Sequence, residues 1–367
     1  MLDNVTLDAL LADPLVRHSI DVLKRGQSPN GALVASPSFP TYRYAWLRDG
    51  AFCARALDVV GETASAAAFH AWAARSVELH RPMIDSAIDR VGRDETPPPE
   101  EMPPARYTLE GRLEGVDGDD PWPNFQIDGY GMWLWALEAH LDGQTPEPAL
   151  AETIRLVARY LAHCWTLKCF SCWEEYDDGE HAATLAAVVS GIEAASRMLG
   201  DDAIAVMAEP VRERLLDAHT IDGRFRRGPR DDRVDGSLLW LSVPFGILPP
   251  EDPRITSTID AIHRDIVGPG GGVYRYRGDT YYGGGQWLLL SSSLAWHESV
   301  AGNTDIAAEL RGWVRGQAVS NGDFPEQVTN RSQVAEMIDV WVRRWGPVAT
   351  PLLWSHAMFL LSEAAAQ

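Results

Sequence analysis

His181–Ile192 reads HAATLAAVVSGI and Gln286–Trp296 reads QWLLLSSSLAW, and neither stretch contains an Asp, Glu, Lys or Arg. A helix without a charged face is buried on all sides. Other segments carry one charged face: in 147–165, Ile154, Val157, Ala158, Leu161, Ala162 and Trp165 fall on one stripe at 3.6-residue spacing. Working outward, the periodicity predicts helices over 7–25, 48–61, 63–84, 128–142, 147–165, 181–199, 203–218, 235–242, 253–266, 285–301, 304–319 and 351–366. Gly61, Gly143 and Gly200 stand where helices stop. Strand signals are few, with Gly272–Tyr276 and Phe225–Arg227 as candidate hairpin arms.

The uniformly apolar helices are even-numbered in that series and the one-faced helices odd. If consecutive helices run antiparallel, every even helix starts at the same end of the molecule. Six inner helices ringed by six outer ones form an all-α (α/α)6 barrel, expected here as one catalytic domain over 1–367. The five-proline stretch Asp94–Arg106 is too short for a domain linker and reads as a rigid surface loop.

Composition narrows the partners. A formal charge of −20 repels phosphate backbones, which excludes nucleic acid, while a neutral sugar is indifferent to it. No apolar run stands out as a membrane span, and the first residues lack the basic-then-apolar order of a signal peptide, so a cytoplasmic location is expected. Cys53, Cys164, Cys169 and Cys172 do not show the paired spacing of a zinc site and read as buried thiols; whether Cys169 and Cys172 ever pair stays open. No metal or cofactor is expected. Fourteen Trp is a high count, and several lie in polar, Gly- or Pro-containing stretches that core packing does not explain; Trp faces bind sugar rings, while core filling stays the ordinary reading of any single one.

Five segments at or just before even-numbered helices carry chemistry. Ala35–Ala51, ASPSFPTYRYAWLRDGA, groups Tyr42, Trp46, Arg48 and Asp49: donors and acceptors for hydroxyls beside aromatic walls. Pro121–Gly131, PWPNFQIDGYG, places Trp122 in a loop and two glycines early in a helix, where only a close neighbouring element justifies them. Cys172–Asp178, CWEEYDD, sets adjacent carboxylates after an apolar run, an environment that holds a carboxyl protonated. Gly270–Trp287 supplies Arg275, Asp279, Tyr281 and Trp287, and without a following Gly-Lys-Ser/Thr it is no phosphate loop. Phe324–Val328, FPEQV, holds Glu326. Taken singly, each has an ordinary reading: a surface ion pair, an N-cap at Asp128, an acidic turn.

Taken in order they do not. Tyr42…Trp46-Leu47-Arg48-Asp49-Gly50-Ala51, then Trp122…Gln126-Ile127-Asp128-Gly129-Tyr130-Gly131, Trp173-Glu174-Glu175, Arg275-Tyr276…Asp279…Tyr281, Pro325-Glu326-Gln327 and Pro351-Leu352-Leu353-Trp354-Ser355-His356-Ala357 resemble the glucoamylase family, glycoside hydrolase family 15, over about residues 30–360. The resemblance implies an inverting exo-glucosidase. Glu174 then corresponds to the general acid, Glu326 to the general base and Tyr42 to the tyrosine that supports the base-activated water. Arg48, Asp49 and Arg275 match residues gripping the terminal glucose; Trp46, Trp122, Trp173 and Glu175 match the leaving-group side, and Asp279 and Trp354 complete the expected substrate contacts. The chain has no room for the additional β-sandwich or starch-binding module of many members, so a short soluble substrate is expected. Isomaltose-type α-1,6 bonds are preferred over α-1,4 or α,α-1,1 bonds. The competing classes are a phosphorolytic transferase, which needs no second carboxylate, and a non-catalytic sugar-binding protein.

Overall fold

The computed structural model describes residues 4–114, 125–177 and 179–367. Helices α1 (Asn4–Leu11) and α2 (Pro14–Arg25) precede α3 (Leu47–Val59), α4 (Thr63–Leu79), α5 (Arg81–Val91), α6 (Asp128–Leu141), α7 (Pro148–Cys164) and α8 (Ala182–Leu199). Then come α9 (Asp202–Val206), α10 (Glu209–Ala218), α11 (Pro253–Ile266), α12 (Leu288–Val300), α13 (Thr304–Arg315), α14 (Glu336–Trp345) and α15 (Leu353–Ala364).

Six segments close into an inner ring. In order around it, α3 packs on α6, α6 on α8, α8 on a 3-10 helix at Gly236–Leu241, that turn on α12, α12 on α15, and α15 back on α3. These are the six even-numbered segments of the periodicity series. Outside them lie α2, α4, α7, the α9–α10 pair, α11 and α13, each against one or more inner members. The expected (α/α)6 barrel is the fold.

Local chemistry explains where the helices depart from the expected spans. The 7–25 segment divides because Asp13 caps α2, accepting from the amides of Leu15 and Val16, and Pro14 takes the first-turn position where no N–H is needed. The 63–84 segment breaks at His80 because Pro82 starts α5, and Pro210 likewise starts α10. The fourth inner member is only a 3-10 turn: Asp235 caps it through Ser237, and Pro244 follows too soon for an α-helix to extend. Helix α14 and the part of α5 beyond residue 84 lie outside the expected series. The 18-residue α8 is long and apolar enough to span a membrane by composition, contrary to the sequence reading, and here its faces are taken up by α6, α7, α10 and the 3-10 turn.

Close approach justifies the glycines of α6. A Cβ on Gly131 would lie 2.1 Å from the Ala187 carbonyl oxygen of α8, and one on Gly191 would lie 2.5 Å from the Gly131 Cα. Two inner helices therefore meet backbone to backbone.

Short strands organise the mouth. β1 (Ala45–Trp46) runs into α3 and pairs with β2 (Arg106–Tyr107). β3 (Thr220–Ile221) and β4 (Arg224–Phe225) form a hairpin. β5 (Val273–Tyr274), β6 (Gln286–Trp287) and β7 (Gln327–Val328) make an antiparallel sheet in that order, which ties the Arg275 loop and the segment after Glu326 to the start of α12.

Candidate active site

The segments entering the inner ring converge on one polar cluster with aromatic walls. β1 delivers Trp46, Arg48 and Asp49 to the first turn of α3. Arg48 is buried and donates to Gln126 and, at 3.1 Å, to Asp128; its guanidinium lies 3.6 Å from Asp49 and 3.7 Å from Glu174. It also sits 5.7 Å from the ring of Trp354, which stacks on Phe52 and neighbours Trp240. Burial raises the Asp49 carboxyl to about 7; Arg48 opposes that and Glu174 adds to it.

Glu174 occupies a turn with φ +63, and Tyr176 two residues on has φ +60. Left-handed backbone at non-glycine residues costs about 1–2 kcal/mol each and is characteristic of residues held for function. Its Oε1 accepts from the Trp46 indole at 2.7 Å. Burial raises its pKa, opposed by Arg48, Arg106 and hydrogen bonds from Trp46 and Gln126.

Glu326 comes from the opposite part of the chain and is 3% exposed. Its Oε1 accepts from the Tyr42 hydroxyl at 2.9 Å, and that hydroxyl is 2.7 Å from the hydroxyl of Tyr281. No described protein group donates to its Oε2. Burial raises its pKa to about 8; Tyr42 and Arg275 pull it down, while Glu174 and Asp49 push it up. The two glutamates therefore sense each other electrostatically. Their partners, Tyr42 and Trp46, stand edge to face with ring centroids 5.8 Å apart.

A second group backs this one. Arg275 is buried with Trp173, Tyr281 and Trp287 at 5.2–5.5 Å around its guanidinium. It donates to both oxygens of Asp279 at 2.6 and 2.7 Å and to Glu175 at 3.0 Å. Glu175 also accepts from the Tyr276 hydroxyl. Trp173 donates to Asp235 at 2.9 Å, and Asp235 lies 3.3 Å from Arg227.

Of the residues singled out from the sequence, Tyr42, Trp46, Arg48, Asp49, Trp173, Glu174, Glu175, Arg275, Glu326 and Trp354 are brought together. Asp279 needs correcting as a direct sugar contact: it has no exposed surface, Arg275 and the Tyr281 amide occupy its oxygens, and it serves by fixing Arg275. Trp122 lies outside the described residues. Sequence reasoning missed Asp235, Arg227, Arg106 and Trp240. Asp235 left a usable trace, an Asp before Gly-Ser at a helix start, but the ion pairs of Arg227 and the stacking of Arg106 on Trp46 depend on distant loops. The four cysteines are free thiols, all buried.

The chain is similar to known proteins in sequence and fold. The model of glycosyl hydrolases family 15 matches residues 12–313. The chain is 39% identical to the isomaltose glucohydrolase of Kribbella flavida over 356 residues, covering 95% of this chain and 91% of that one. A glycosidase variant solved in complex with glucose superposes with TM-score 0.91 at 37% identity, covering 100% of this chain and 99% of the other. A bacterial glucoamylase complexed with acarbose shares the fold at TM-score 0.73 and 19% identity, covering 98% of this chain and 56% of that one.

Proposed function

Because the chain belongs to glycosyl hydrolases family 15 and is a glycoside hydrolase, we propose that it releases β-glucose from the non-reducing end of isomaltose and short isomalto-oligosaccharides by inversion. One observation carries the mechanism: two carboxyl groups, Glu174 partly buried and Glu326 buried, arrive on separate loops and are held by adjacent rings, one by Trp46 and the other by Tyr42.

Inversion requires a proton for the departing oxygen and a base for water on the other ring face, with carboxyls roughly 6.5–9.5 Å apart. Glu174 suits the acid. Its raised pKa keeps a proton available for the departing oxygen. Glu326 suits the base: Tyr42 stabilises the anion at Oε1, leaving Oε2 to take the proton of the attacking water. Glu175 cannot replace it, being adjacent to Glu174 and held by Arg275 and Tyr276. Arg48 and Asp49 grip the terminal glucose, and the surrounding indoles and phenols exclude solvent, which strengthens electrostatic stabilisation of the oxocarbenium-like transition state.

The preference for α-1,6 bonds rests on the likeness to an isomaltose glucohydrolase along nearly the whole chain. Anomer-resolved NMR of isomaltose hydrolysis should show β-glucose first; α-glucose as the initial product rejects inversion. Glu326→Gln should lower kcat by at least about 10³-fold with little change in fold. A panel of maltose, isomaltose, panose and trehalose tests the linkage.

A further inference from the structure

At the opposite end of α3 from Arg48 and Asp49, three potential ligands gather from three helices. Asp58 closes the last turn of α3, His70 lies in the middle of α4, and His140 lies in the last turn of α6. One ligand atom from each lies within 4.8 Å of the other two. His140 Nδ1 is 2.9 and 3.1 Å from the Asp58 carboxylate oxygens, and the two imidazole centroids are 4.9 Å apart. We propose that Asp58, His70 and His140 form a binding site for a divalent first-row metal ion, Zn²⁺ by its ligand set, that fastens α3, α4 and α6 together.

The decisive observation is His70. It is 3% exposed, yet among the described residues neither Nδ1 nor Nε2 has a hydrogen-bond partner. A buried imidazole with both nitrogens unsatisfied costs free energy that an ordinary packing role does not return. Burial, then the neighbouring His140, holds its pKa well below the usual value, so the ring is neutral, the form that ligates. Two imidazoles and a carboxylate make a His₂Asp set, well suited to Zn²⁺ with a fourth position left to water. Bond lengths of about 2.0–2.2 Å require the three groups to draw slightly closer. An entry path exists: both histidines line a cavity of about 760 Å³ that also touches Glu78, Arg81 and Thr153.

The site stands apart from the sugar-binding end of the barrel. Asp49 and Asp58 are nine residues apart on one helix, about 13 Å of axial rise, so an ion there does not touch the sugar. A ligand that binds only the folded form raises its melting temperature.

The test uses the full chain stripped with a chelator and then titrated with Zn²⁺ or Co²⁺. Expected results are uptake of one ion per chain, a rise in Tm of several degrees, and visible absorption bands of four-coordinate Co²⁺, with the rate of glucose release unchanged. His70→Leu should abolish the Tm rise and the Co²⁺ bands. Asp58→Asn provides the same comparison if the His70 variant does not fold. Absence of uptake up to millimolar Zn²⁺ overturns the proposal, and so does the same Tm rise in both the wild type and the variants.

Discussion

Tyr42 is the one described side chain that hydrogen-bonds to Glu326, and removing its hydroxyl has a predictable sign. The base acts ionised, so the acid limb of kcat/KM follows the Glu326 pKa, displaced by burial from 4.5 toward about 8. Tyr42→Phe deletes a contribution that lowers this pKa, so the acid limb should move to higher pH by roughly one unit, taking about 1.5 kcal/mol for a hydrogen bond to a charged group. Unchanged profiles in the two enzymes would remove Tyr42 from this role. Stability carries the same signature. Because the folded-state pKa of Glu326 is raised, its contribution is fully present below pH 4.5 and lost as pH rises through about 8. Glu326→Gln is free of that loss, so its stability advantage over the wild type in chemical denaturation should grow across this window, by up to about 5 kcal/mol at pH 9.

At the scale of elements, the tightest contact is between α6 and α8. Gly131→Ala drives a methyl group into the Ala187 carbonyl, and backbone cannot swing aside as a flexible side chain does. The expected cost is about 3 kcal/mol in urea denaturation. Gly143→Ala, with open space around its Cβ but φ +80, should cost less, about 1 kcal/mol. These elements also show what the sequence made legible. The apolar runs of α8 and α12 announce burial because no face carries charge, and they place the inner ring directly. The expected helices 7–25, 63–84 and 203–218 were each cut near a proline, a local signal that the 3.6-residue period overrides when read over long windows. The 235–242 segment has the right composition for a helix but too few residues before Pro244 to complete one as an α-helix.

Over the whole molecule, the acid, the base and their grip on sugar were readable because each lies in a compact motif at an inner-helix start. Asp235, Arg227 and the Asp58–His70–His140 cluster were not, since their partners come together only when separate helices and loops assemble. The order of the ring has a further consequence. α15 fills the gap between α12 and α3, and it is the last of the six inner members to be synthesised. Until it leaves the ribosome, the nascent chain is an open horseshoe with two apolar helix flanks exposed. Glu326 has by then emerged, but the wall bearing Trp354 has not. The pocket therefore lacks a wall until α15 docks, and a chain that has not yet reached α15 exposes the apolar flanks of α12 and α3, an intermediate of the kind chaperones bind.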